Sequence, residues 1–320
     1  VAARFELPDV IRTKAAVSGS AWWLDEVDDL VALLETTWSI QVGDLLSGGT
    51  EALVAEATRT DGTAAVLKLL VPRGDGHELA GGLSPGASEI AVLRLADGDG
   101  CARLLESDVG HEALLLERLG PSLSTLDMPT RERHVVMARL ARALWRPAPD
   151  CGLTTGAAKA RWLADRIVDL WHELDRPCAE QTIDDAVSSC ERRLVAHDDE
   201  RSVLVHGDVH QWNTLTTHDG SGFRLVDPDG LLAEPEYDLG VMMREDADEI
   251  WVDGPEERAH RLAALTGTDV TAIWEWGVAE RVSTGLICLQ VGLGDEGREM
   301  LATADRIAAT NPGFDPRSRG

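Results

Sequence analysis

The stretch Val203-Leu204-Val205-His206-Gly207-Asp208-Val209-His210-Gln211-Trp212-Asn213-Thr214-Leu215 reads as an apolar strand that ends in a polar loop before a second apolar stretch. Farther on, Phe223-Arg224-Leu225-Val226-Asp227-Pro228-Asp229-Gly230 repeats the device, an apolar strand delivering a carboxylate at its end. Ends of strands that feed loops are where a rigid scaffold presents reactive groups.

The chemistry follows from residue type and spacing. Asp208 can accept a proton, while Asn213 and Asp227 offer oxygens to a hard cation such as Mg²⁺. An Asp followed five positions later by Asn, with a further Asp on the next hairpin, is the spacing of the kinase catalytic loop. In that arrangement Asp208 takes the acceptor's hydroxyl proton and Asn213 and Asp227 hold metal. Asp229 is a rival ligand, but the strand end favours Asp227. A different reading places His206, Asp208 and His210 on one strand face, holding zinc or a metal pair with Asp227 for hydrolysis. It leaves Lys68, Asn213 and Glu89 without roles. His206 and His210 read better as loop supports.

Phosphoryl transfer also needs positive charge on the nucleotide. The chain has only three lysines, Lys14, Lys68 and Lys159. Lys68 stands in Ala64-Ala-Val-Leu-Lys68-Leu-Leu-Val71, where an unpaired charge would be unfavourable. A lysine reaching nucleotide phosphates, oriented by Glu89 of the following helix, accounts for it. Ser47, Gly48 and Gly49 could lay backbone N–H groups over phosphates, although they do not make a full glycine-rich fingerprint.

Around these motifs the sequence predicts two parts. The residues 1–20 read as irregular, and Trp22–Leu34 as a helix. Thr50–Thr58 and Thr63–Val71 read as strands joined at Asp61-Gly62, a hairpin signal. Ala87–Ala96 reads as a helix, then Ala102–Leu105 and Glu112–Arg118 as strands. Met128–Trp145, Ala158–Leu174 and Thr182–His197 carry apolar residues three and four apart, and the chain is again helical beyond Pro235. The expectation is an α+β chain with a small antiparallel-sheet N-terminal lobe at 1–119 (1–40 a partly helical extension) and a larger, mostly helical lobe at 120–320.

Bulk properties narrow the partners. The 320 residues carry a net charge of −26, so phosphate backbones and anionic membranes are repelled and cationic ligands drawn in. Neither a nucleic acid nor a membrane is expected as partner. No run approaches a bilayer span. Five scattered cysteines without CxxC spacing suit a reducing cytoplasm.

The stretches Val66–Leu69, Leu114–Leu119, Val205–Asn213, Leu225–Asp229 and Glu234–Gly240 together resemble the aminoglycoside phosphotransferase family. The likeness is to the branch of aminoglycoside 6-phosphotransferases (streptomycin 6-kinases) and hydroxyurea phosphotransferases. The resemblance implies the bilobal protein-kinase-like fold and an ATP- and Mg²⁺-dependent kinase of a small cationic or hydroxyl-bearing molecule, with resistance to an antibiotic as one role. It also implies Asp208 as catalytic base, Asn213 and Asp227 as metal ligands, and Lys68 with Glu89 at the phosphates. Glu117–Leu119 becomes the hinge holding adenine, and Asp238 a brace for the catalytic loop. Glu234, Glu236, Glu245 and Asp246, together with Glu275 between Trp274 and Trp276, are candidates for an acidic acceptor cleft.

Overall fold

The computed structural model describes residues 4–46, 49, 51–73 and 82–310. Close packing groups them into two units: Val1–Pro121 with Thr216–Asp229, and Ser122–Leu215 with Gly230–Gly320. The hairpin carrying Asp227 therefore belongs with the first unit, although it lies between stretches of the second in sequence.

In the first unit the chain runs through α1 (Asp9–Val17), α2 (Trp23–Trp38), β1 (Ile40–Leu45), β2 (Ala52–Arg59), β3 (Ala64–Leu70), α3 (Pro85–Ala96), β4 (Leu104–Asp108) and β5 (Ala113–Glu117). Five strands form one antiparallel sheet in the order β1-β2-β3-β5-β4. The Asp-Gly hairpin forms as expected. Gly62 takes the left-handed φ of +82° that the turn requires, and Asp61 Oδ1 accepts the Thr63 N–H at 2.9 Å. Helices α1 and α2 lay Ile11, Ala15, Trp23, Val27, Val31 and Leu34 into a core with Leu53, Leu67, Leu69 and Leu115. The expectation of an irregular 1–20 is corrected by α1, whose two buried residues, Ile11 and Ala15, are too few to show a period. Strand β1 is likewise additional to the expected elements.

Three further strands belong mostly to this unit or border it: β6 (Leu119–Ser122), β9 (Thr214–Thr217) and β10 (Phe223–Leu225), in the order β10-β9-β6. The second unit holds α4 (Thr130–Leu144), β7 (Thr154–Thr155), α5 (Gly156–Glu173), α6 (Glu180–Ala196), β8 (Val203–Val205) and β11 (Leu231–Ala233). It continues with α7 (Glu236–Arg244), α8 (Ile250–Asp253), α9 (Pro255–Thr266), α10 (Val270–Gln290) and α11 (Gly294–Thr310). Strands β7, β11 and β8 make a small sheet.

Helix α10 is buried nearly all round, as a central helix should be. It meets α7 at two glycines. A Cβ on Gly240 would run into Trp276, and one on Gly277 would stand 2.6 Å from the Met243 Cβ. The pair lets the two backbones approach, and α7 is thereby fixed in place. Among the described residues no helix is long and apolar enough to cross a membrane.

Candidate active site

Each unit gathers one cluster of the expected residues. In the first, β3 places Lys68 opposite Val54 and Leu114 of the flanking strands, and its side chain is buried. Its ammonium lies 2.6 Å from Glu89 Oε2 and 2.9 Å from Asp227 Oδ1. Helix α3 brings Glu89 there. Ser84 caps the helix by accepting the Ala87 N–H, and Pro85 occupies its first turn. Burial alone would lower the Lys68 pKa, but Asp227 and Glu89 raise it, so the ammonium stays charged. Burial pushes Glu89 up to about 7 in spite of Lys68, and Asp227 adds to the rise. Glu89 Oε1 is buried with no hydrogen-bond partner. Asp227 sits at a φ of +57°, unusual for a residue other than glycine, and about half of its side chain is exposed.

Of the remaining nucleotide candidates, Gly49, Glu117 and Leu119 are also in this unit. Ser47 and Gly48 lie outside the described residues. Gly49 packs so tightly against the Ala52 carbonyl oxygen that a Cβ would collide with it. Glu117 ends β5 with its Oε1 accepting the Arg103 N–H at 2.8 Å, and Leu119 is buried. Asp229 is exposed, two residues beyond Asp227.

In the second unit β8 ends at Val205 and the loop turns at Gly207, whose φ is +88°. Asp208 follows. Its Oδ1 accepts from Arg244 Nη2 at 2.5 Å, while Oδ2 accepts from His210 Nε2 at 3.1 Å and Asn213 Nδ2 at 3.0 Å. Burial would raise the Asp208 pKa, but Arg244 and then His210 hold it well below the usual carboxylate range. The His210 imidazole is desolvated too, yet Asp208 lifts its pKa above the ordinary value. Since the Asn213 amide nitrogen is turned to Asp208, its carbonyl oxygen is the atom left for another partner.

The loop backbone is held from α7. Asp238 is fully buried and accepts the His206 N–H at 3.2 Å, the Gly207 N–H at 2.8 Å and the Trp145 indole N–H at 2.9 Å. Burial raises its pKa to about 6 although all three donors pull it down. His206 is fully buried, and its Nδ1 accepts the Asp208 N–H at 3.2 Å. That contact commits the ring to the loop itself. Residues 206–210 form a loop, so the single strand face that the hydrolase reading requires is absent from it. Among the described residues no group of three or more His, Cys, Asp or Glu is arranged to hold a metal ion.

The acidic candidates have arginine or backbone partners. Glu234 accepts from the Trp276 indole at 2.7 Å and pairs with Arg193 at 3.3 Å, and Glu236 accepts the Asp269 N–H at the start of α10. Glu245 lies 3.1 Å from Arg244, Asp246 lies 3.4 Å from Arg133, and Glu275 pairs with Arg192 and Arg193. A cavity of about 410 Å³ in this unit is lined by Asp185, Glu275, Trp274, Met243 and Arg281, among others. Asp185 was not singled out from sequence. Its half-buried carboxylate has no ion pair or side-chain hydrogen bond among the described residues. Arg244 was also missed. The signal for it was a lone arginine after an apolar run, six positions beyond Asp238.

Comparison with known proteins joins these clusters to a family. The sequence profile for "Aminoglycoside/hydroxyurea antibiotic resistance kinase" matches residues 37–286. A streptomycin 6-kinase of Streptomyces glaucescens is 29% identical over 219 residues, covering 68% of this chain and 66% of the relative. A hydroxyurea phosphotransferase of Kitasatospora aureofaciens is 30% identical over 256 residues, covering 75% of this chain and 68% of the relative. The match thus spans about two thirds of each of these two proteins. Among solved structures, a thermostable mutant of aminoglycoside phosphotransferase APH(4)-Ia, in ternary complex with ADP and hygromycin B, superposes with a TM-score of 0.60 at 17% identity. That likeness covers 88% of this chain and 99% of the other and shows a common fold. With most of its length under one profile, this chain belongs to the aminoglycoside/hydroxyurea antibiotic resistance kinase family of phosphotransferases.

Proposed function

We propose that the protein transfers the γ-phosphoryl group of ATP to a hydroxyl of a small molecule, of the streptomycin or hydroxyurea type. The observation that carries this reading is the Asp208 carboxylate, held by Arg244, His210 and Asn213 on a loop whose backbone Asp238 also holds. A carboxylate so stabilised is a weak base, and it serves by accepting the acceptor's hydroxyl hydrogen bond and aiming the oxygen. That suits phosphoryl transfer, in which a loose transition state rewards positioning and electrostatics over early proton removal.

In this reading Lys68 contacts the nucleotide phosphates and Glu89 keeps its ammonium in place. The Glu117–Leu119 backbone holds adenine, with Ser47, Gly48 and Gly49 near the phosphates. Asp227 and the Asn213 carbonyl supply hard oxygen donors of the kind Mg²⁺ prefers. When bound, the ion would neutralise charge on the phosphates. The cavity bordered by Asp185, Glu275 and Trp274 is a candidate berth for a cationic acceptor, since Asp185 offers a carboxylate with no ion-pair partner among the described residues. Five free cysteines, three of them buried, suit a reducing cytoplasm as the place of action.

An ATP-consumption screen with streptomycin, hydroxyurea and simple amino alcohols tests the proposal. Streptomycin or hydroxyurea should stimulate turnover. Stimulation by another acceptor alone would refute the acceptor class, and none by any acceptor would refute the kinase reading.

A further inference from the structure

Helix α7 grips the Asp208 loop at two points. Near its start, Asp238 accepts two loop N–H groups. At its last residue, Arg244 reaches the reacting carboxylate itself. The guanidinium has no freedom to do otherwise. Its Nε lies 3.1 Å from Glu245 Oε1 and its Nη1 3.4 Å from Glu280 Oε2, and Glu280 in turn accepts the Tyr237 hydroxyl.

The root of the arginine is fixed as well. The last carbonyls of a helix have no partner within it. Here Arg281 Nη2 donates to the Met243 carbonyl at 2.5 Å and Arg258 Nη1 to the Glu245 carbonyl at 2.7 Å, both from buried side chains. Two buried guanidinium groups thus close the end of α7, on either side of Arg244. The glycine contact with α10 fixes its middle.

We infer that Arg244 is a positioning residue for phosphoryl transfer: Glu245 and Glu280 fix its guanidinium, and the guanidinium fixes the direction of the Asp208 carboxylate. The inference rests on the kinase reading above. A planar fork can bridge several carboxylates in fixed geometry, which a lysine ammonium cannot. With Oδ1 on Arg244 and Oδ2 on His210 and Asn213, the carboxylate plane is set before an acceptor arrives.

The test uses the full chain with whichever acceptor supports wild-type turnover. In Arg244→Ala, kcat should fall about a hundredfold, the effect of a misplaced reacting group, with KM for ATP unchanged. Millimolar guanidinium chloride should restore most of the loss saturably, and equal sodium chloride should not. Arg244→Lys should retain the fold and still lose most of kcat. Since Arg244→Ala strands buried carboxylates, Arg244→Ala/Glu280→Gln replaces it if the single variant does not fold, under the same criteria. Wild-type turnover in Arg244→Ala, or a loss that guanidinium leaves untouched in a variant melting like the wild type, overturns the inference. If the wild type transfers to no acceptor, the kinase reading fails and the catalytic part of the inference with it, and the melts then test only whether Arg244 holds the Asp208 carboxylate. Guanidinium should then raise the melting temperature of Arg244→Ala but not of the wild type, and no rise overturns the inference.

Discussion

The two clusters are built with opposite charge. In the first unit one buried ammonium, Lys68, stands between two carboxylates. In the second one carboxylate, Asp208, stands among a guanidinium, an imidazole and an amide. Their freedom differs as well. Asp227 is half-exposed and Glu89 has one oxygen with no hydrogen bond, so the Lys68 cluster has room to exchange partners with an arriving anion. The Asp208 cluster has a partner on each carboxylate oxygen and is braced by α7. We read the first as built to receive a charged ligand and the second to hold one group still.

Asp208→Asn should show the sharpest difference. We expect kcat to fall by about 10²–10⁴-fold, the range for a positioned proton acceptor, with ATP affinity unchanged. Equal losses in kcat and ATP affinity would erase the distinction between the clusters.

Lys68→Met should act on the nucleotide side. Losing a charge-assisted hydrogen bond should weaken ATP binding by about 1.5–3 kcal/mol, read by calorimetry. The fold should survive, because Glu89 can take a proton in place of the lost ammonium. Unchanged ATP affinity would remove Lys68 from the nucleotide site.

Glu89 gives a pH signature. Its pKa in the folded chain, about 7, lies above the ordinary 4.5, so the folded state binds the proton more tightly. Its contribution to stability is present below about 4.5 and is lost as pH rises through about 7. Urea denaturation across that window should show the wild type losing stability relative to Glu89→Gln. Parallel curves would show that burial of Glu89 is fully compensated.

Trp145→Phe should have the smallest effect. It removes one of three donors to Asp238 and should lower stability by about 1 kcal/mol, with little change in ATP affinity. A larger fall in kcat than in stability would show that the backbone grip of α7 matters to the chemistry.

Much of this was legible because it is local in sequence. The Asp208–Asn213 spacing, the strand around Lys68 and the Asp61-Gly62 hairpin each lie within a few residues, where periodicity and turn chemistry act. Strands β7 and β11, of two and three residues, are too short to carry a period. The role of Arg244 was hidden for a different reason. Its partners Asp208 and Glu280 lie 36 residues away on either side, and composition shows charges without showing which ones meet. The same limit applied to Glu245, Asp246 and Glu275, read in sequence as candidates for an acidic acceptor cleft, which stand beside arginines in the fold.

Direction of an acceptor hydroxyl by Asp208 toward ATP bound through Lys68 is the core of the proposed kinase reaction. It is tested most directly by detecting the phosphorylated acceptor by mass spectrometry after incubating ATP with streptomycin or hydroxyurea. Product should form with the wild type and at least about a hundredfold more slowly with Asp208→Asn at the same nucleotide occupancy. Product formed equally by both proteins would contradict it.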